Sequence, residues 1–141
     1  GKADIKVDFY NGQFINVEIE TESVEDVLKH SDFVTLHVPA QKEYVIDKKD
    51  IELMKDGAAL INAARGGVVN EVALVEALNS RKLSFAGLDT FQDEPKPAVQ
   101  ILMNEYISLT PHIGAATNEA QDRIGTELAE QIKSLLLTSK N

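Results

Sequence analysis

The sequence predicts an α/β fold: a doubly wound parallel sheet of about four strands with helices between them, preceded by a β-hairpin. Three observations carry this. Four short apolar runs, Phe33 to Val38, Ala58 to Asn62, Phe85 to Leu88 and Ile107 to Leu109, have the length and near-continuous hydrophobicity of strands covered on both faces of a parallel sheet. Stretches with helical spacing separate the runs, and strand alternating with helix implies right-handed crossovers. Near the N-terminus, two segments of alternating polarity flank Asn11-Gly12, a hairpin signal.

Taken in order, Ile5, Val7 and Phe9 alternate with polar residues, and Ile15, Val17 and Ile19 do so again. A three-residue loop at Asn11 to Gln13 sets Phe9 opposite Ile15, Val7 opposite Val17 and Ile5 opposite Ile19, which keeps one face apolar. Ser23 followed by Asp26 resembles a capping box opening a helix that runs to about His30, with Val24, Val27 and Leu28 on one face. Pro39 ends the first apolar run. Helices are expected at about Lys48 to Met54, Asn70 to Leu78 and Ala98 to Met103, each leading into the next strand. From Thr117 to about Leu137, Ile124, Leu128, Ile132 and Leu135 recur at helical spacing, giving a long amphipathic helix read as core-packing.

The chain has 141 residues, 43% of them hydrophobic, enough for one domain with a real core. It has no cysteine, so neither disulfides nor a thiolate nucleophile are available. No apolar run approaches membrane-span length and no signal-peptide pattern is present, so a cytoplasmic protein without membrane contact is expected. The 23 acidic and 14 basic residues leave a net charge of -9, which repels nucleic acid and anionic lipid. A serine hydrolase is disfavoured because no Gly-x-Ser-x-Gly turn exists. A metal site is disfavoured too: there is no His-Glu-x-x-His, and His30 and His37 lack a third ligand, so both read as structural.

Three segments set out polar groups just beyond apolar runs: Asn62-Ala-Ala-Arg65-Gly-Gly67, Asp89-Thr-Phe-Gln-Asp-Glu94-Pro95 and Thr110-Pro-His112-Ile-Gly114. A guanidinium forks onto a carboxylate, and a histidine held by a carboxylate exchanges a proton near neutral pH. Arg65, Glu94 and His112 together therefore suit an anionic hydroxy acid. Each has a plainer alternative: a surface ion pair for Arg65, a solvated acid before Pro95 for Glu94, and for Asp89 a carboxylate capping its own turn.

These motifs, with SDFVTLHVP, LMKDGAALINAARGGVVNEVALVEAL, FAGLDTFQDEP and LTPHIGAATNEAQDRIG in this order and spacing, resemble the D-isomer-specific 2-hydroxyacid dehydrogenases from about Ser23 to Leu137. Asn70 and Thr90 depart from the family's usual aspartate and valine. The resemblance implies a Rossmann-like domain, NAD as cofactor, a small-molecule D-2-hydroxy acid as substrate and a homo-oligomer. It implies that Arg65 clamps the substrate carboxylate, that His112 is the general acid/base and that Glu94 orients it. Asp89 would receive the nicotinamide carboxamide, and Val38, Ala63, Ala64, Arg65, His112, Ile113, Gly114 and Ala115 would line the cofactor. The stretch from Thr110 to Gly125 leans toward 3-phosphoglycerate; glyoxylate or hydroxypyruvate reduction, D-lactate oxidation and a non-catalytic nucleotide-sensing module are the alternatives.

A complete domain of this kind opens on Gly-x-Gly-x-x-Gly, and no subset of the eight glycines has that spacing. The expectation is that residues 1–22 lead in and 23–141 form the C-terminal half of a dinucleotide-binding domain, inactive alone. The residue that selects NAD over NADP lies in the other half.

Overall fold

The computed structural model describes residues 1–138. Strands β1 (Lys2–Asp8) and β2 (Phe14–Glu20) pair antiparallel, with Ile5 opposite Val17 and Val7 opposite Ile15. This register is two residues away from the expected one, and the turn explains it. The three-residue loop falls on Tyr10, Asn11 and Gly12, closed by Phe9 N–H to Gln13 O at 2.7 Å and Gly12 N–H to Phe9 O at 3.0 Å. Gly12 has φ +79°, the left-handed conformation required at the third position of such a loop. A loop at Asn11 to Gln13 would force Gln13 into that strained region. A shift of two preserves the faces, so Ile5, Val7, Ile15 and Val17 still share one side, which is exposed.

Helix α1 (Val24–His30) opens where Ser23 Oγ accepts Asp26 N–H at 3.1 Å. Its last turn carries His30, whose Nδ1 lies 2.9 Å from Asp26 O, a capping contact that suits the structural reading. Strands β3 (Phe33–Leu36), β4 (Ala58–Asn62), β5 (Leu83–Leu88) and β6 (Ile107–Leu109) form a parallel sheet in that spatial order. Helix α1 leads into β3, and the three crossovers are α2 (Lys48–Leu53), α3 (Glu71–Asn79) and α4 (Val99–Leu102). Asp47 caps α2 in a capping box with Asp50, and Asn70 Oδ1 caps α3 by accepting from Val72 and Ala73 N–H at 3.1 Å each.

Leu28, Ile51, Leu74 and Ile101, one from each helix, join Val34, Leu36, Leu60 and Ala86 of the sheet in one buried cluster. Each fully buried leucine there is worth roughly 1.5–3 kcal/mol. The opposite face differs from expectation. Phe33 is 74% and Phe85 42% exposed, so β3 and β5 are open on the face away from the common cluster, whereas Ala59 of β4, between them, is buried. The final helix α5 (Asn118–Thr138) forms as its periodicity predicts, but its stripe does not enter the core. Ile124, Leu128, Ile132 and Leu135 are all exposed, which corrects the core-packing reading. Spacing reports amphipathicity, and amphipathicity alone does not name the surface that covers it. No helix among the described residues is long and apolar enough to cross a membrane.

Register fixes where the loops emerge. Leu36, Asn62, Leu88 and Leu109 sit side by side across the four strands. The segments that follow them therefore leave one edge of the sheet together, at the C-terminal ends where open parallel sheets bind ligands.

Candidate active site

After β4, the buried Asn62 side chain organises the turn: its Nδ2 donates to Arg65 O at 3.0 Å and its Oδ1 accepts Ala64 N–H at 3.1 Å. The sequence reading gave Asn62 no role, although a carboxamide at the end of an apolar run signals this kind of turn. Arg65 is exposed, and its Nη1 donates to Ala64 O at 2.6 Å. The guanidinium is thus folded onto its own turn and makes no hydrogen bond to Glu94 or His112. The turn itself abuts theirs: a Cβ on Gly66 would stand 1.8 Å from Phe91 O, an approach open only to glycine.

After β5, the chain bends through Asp89, Thr90 and Phe91, all buried, to the exposed Glu94. Two successive amides there meet carboxylates. Phe91 N–H donates to Glu94 Oε1 at 2.9 Å, and Gln92 N–H donates to Glu71 Oε1 at 2.6 Å. After β6, His112 adopts φ +56° and brings Nδ1 within 2.8 Å of Glu94 Oε2. Glu94 is held below the ordinary glutamate range, first by the bond from His112 and next by that from Phe91 N–H. An ionised carboxylate only accepts, so Nδ1 carries the proton and Nε2 is left as the nitrogen not engaged by Glu94. The pair borders an apolar cleft of about 380 Å³ formed with Phe91, Pro95, Leu102 and Leu109.

Asp89 holds the loop that carries the imidazole. Its Oδ1 accepts Thr110 Oγ1–H at 2.6 Å and Ile113 N–H at 2.9 Å, and its Oδ2 accepts Gly114 N–H at 2.9 Å. Burial acts to raise the Asp89 pKa, but these three bonds and the nearby His112 outweigh it and hold the group low. Asp89 therefore ties down a neighbouring strand's loop rather than capping its own turn. A carboxylate offers about four acceptor positions, so one remains on Oδ2.

Of the remaining positions singled out, Val38 and Ala64 pack with the core, whereas Ala63, Ile113, Gly114 and Ala115 are exposed at the same sheet edge. His37 bonds Thr35 Oγ1 through Nε2 at 3.0 Å, a local contact. The small exposed surface beside the open Asp89 acceptor fits an amide-bearing aromatic ring such as nicotinamide. Among the described residues no group of three His, Cys, Asp or Glu is placed to hold a metal ion.

Residues 5–114 match the family described as D-isomer specific 2-hydroxyacid dehydrogenase, NAD binding domain. D-3-phosphoglycerate dehydrogenase of Mycobacterium leprae is 42% identical over 120 residues, which are 84% of this chain and 23% of that protein. A glyoxylate reductase structure from Paecilomyes thermophila superposes with a TM-score of 0.71 at 34% identity, covering 80% of this chain and 35% of the other. D-lactate dehydrogenase from Aquifex aeolicus, complexed with NAD and lactic acid, gives a TM-score of 0.65 at 35% identity, covering 83% and 40%. The chain thus spans about a quarter of the length of the curated relative.

Proposed function

From the premise that this chain belongs to the D-isomer specific 2-hydroxyacid dehydrogenases, through their NAD-binding domain, we propose that it supplies the proton-handling and nicotinamide end of an enzyme oxidising a D-2-hydroxy acid. The observation that carries this reading is the 2.8 Å contact between His112 Nδ1 and Glu94 Oε2 at the C-terminal edge of the parallel sheet.

NAD, when bound, supplies the hydride acceptor. The chain's own residues do the rest. With Nδ1–H committed to Glu94, His112 Nε2 accepts the substrate hydroxyl proton as the C–H bond gives up its hydride and the C–O bond becomes a carbonyl. The carboxylate of Glu94 stabilises the imidazolium that forms. In the reverse direction the same nitrogen returns the proton. Arg65 swings from Ala64 O to fork onto the substrate carboxylate, exchanging one neutral acceptor for a charged one. The open acceptor of Asp89 takes the carboxamide N–H, and Ala63, Ile113, Gly114 and Ala115 provide close contact surface. The phosphate-cradling glycines of such a domain are not among these residues. In this reading residues 1–22 lead in and 23–141 form the half of the domain that faces the substrate.

For the substrate we propose 3-phospho-D-glycerate, giving 3-phosphooxypyruvate on the way to L-serine, in a cytoplasmic homo-oligomer. The relationship to D-3-phosphoglycerate dehydrogenase supports it, and the apolar faces left open support self-association. The test is kcat/KM of the intact protein with NAD and 3-phospho-D-glycerate, D-glycerate, glycolate and D-lactate. The highest value is expected for phosphoglycerate. A higher value for glycerate or glycolate makes it a hydroxypyruvate or glyoxylate reductase, and one for lactate a lactate dehydrogenase. No turnover with any of them removes the catalytic reading.

A further inference from the structure

Glu71 is a carboxylate, yet it is only 9% exposed, and the reaction above gives it nothing to do. Burial pushes its pKa up, Gln92 N–H opposes that, and the negative charges of Asp93 and Glu94 add to the rise. An ionisable group packed beside two further acids is an unfavourable way to fill space. What it does provide is an acceptor at a fixed point, 2.6 Å from Gln92 N, in the first turn of α3 where Asn70 caps the helix.

That point matters because of what hangs from it. Phe91 and Gln92 are consecutive; the first donates its N–H to Glu94 Oε1 and the second to Glu71. On the other side, Phe91 O rests against Gly66, and Tyr44 O–H reaches Gln92 Oε1 at 3.2 Å. The segment bearing Glu94 is therefore pinned from α3, from the Arg65 turn and from the Tyr44 loop, and only the pin from α3 is a charged acceptor. Glu94 is exposed and must still reach an imidazole held in a left-handed loop residue.

We propose that Glu71 is a positioning residue for the His112–Glu94 pair: its carboxylate fixes the Phe91 to Glu94 segment through Gln92 N–H, and thereby sets the Nδ1 to Oε2 contact. This rests on the reading of that pair as proton-handling, but the test reads the contact itself and needs no turnover. Glu71, Asp93 and Glu94 face one another around the segment, and Asp89 and Glu94 face His112, so each carboxyl is followed separately.

The experiment is NMR of the whole chain: the low-field Nδ1–H resonance of His112, and the carboxyl carbon titration of Glu94, in wild type, Glu71→Gln, Glu71→Ala and Glu71→Asp. Glutamine keeps an acceptor at the same reach, so both signatures are expected to persist. Alanine removes the acceptor and aspartate withdraws it by one methylene while keeping an acid favourable to the helix start. Both are expected to lose the low-field resonance and to let Glu94 titrate closer to an ordinary glutamate. Should Glu71→Ala fail to fold, Glu71→Asp decides. A folded Ala or Asp variant with the resonance intact and Glu94 still titrating low would overturn the proposal, as would loss of both signatures in Glu71→Gln. The contact present in wild type together with no turnover by the intact protein would instead count against the catalytic reading alone.

Discussion

Asn70 donates its side-chain amide to Asp47 Oδ1 at 2.7 Å, so the caps of α2 and α3 are joined. The same amide's oxygen caps α3, which means that Asn70 uses both ends of its side chain. Asp47 is held below the ordinary aspartate range, first by this bond and next by Lys48 N–H. An aspartate at 70 would still cap, but it has no N–H to offer and would face a second carboxylate. Asn70→Asp is expected to lower the midpoint of thermal unfolding at neutral pH, with the loss shrinking as pH falls and one carboxyl protonates. A variant as stable as wild type at pH 7 would show that the joined caps contribute nothing.

Thr90 is 1% exposed and its hydroxyl has no hydrogen-bond partner. Burying an unpartnered hydroxyl costs about 1–2 kcal/mol, and valine has nearly the same shape without it. Thr90→Val is expected to raise the free energy of urea unfolding by about that amount. No gain, or a loss, would mean that the hydroxyl finds a partner.

Gly66 faces Phe91 O at a distance no Cβ can share. Gly66→Ala must push the 65–67 turn and the Glu94 segment apart. A destabilisation of about 3 kcal/mol is expected, as for overpacking a site that cannot relax. Equilibrium denaturation measures it, and a cost below the usual surface range would place the two turns further apart than described.

The folded state holds Asp89 below its unfolded pKa, which is about 3.9. For such a group the unfolded chain binds the proton more readily, so its contribution is present above the unfolded value and is lost as pH falls through the folded one. Stability is expected to hold from neutral pH down to about 5 and to decline below about 4. Asp89→Asn should lower stability at neutral pH, since an amide N–H would face Gly114 N–H, and should flatten the acid decline. An undiminished acid limb in that variant would contradict the assignment.

The parallel sheet was legible because each strand is an apolar run bounded by turn residues, and the helices because Ser23 and Asn70 stand at helix starts with periodic residues behind them. Hairpin register was not, since two three-residue loops keep the same faces and only the φ of Gly12 separates them. The edge carrying Arg65, Glu94 and His112 could be named from motif order, because loops after parallel strands emerge together. What lay out of reach were contacts between loops: Asp89 to Gly114, Gly66 against Phe91, and Glu71 to Gln92. These depend on how three segments fold over one another, and no local pattern encodes that. The open apolar stripe of α5 had the same origin, because its periodicity says nothing of what covers it.

The account stands on His112 as the group that moves the proton, and the direct measurement is kcat and KM of the intact protein carrying His112→Gln, with the substrate that wild type turns over best. General acid/base catalysis contributes about 10²–10⁴-fold, so kcat is expected to fall by that factor while KM stays within a few-fold of wild type. A variant with undiminished kcat would contradict the account.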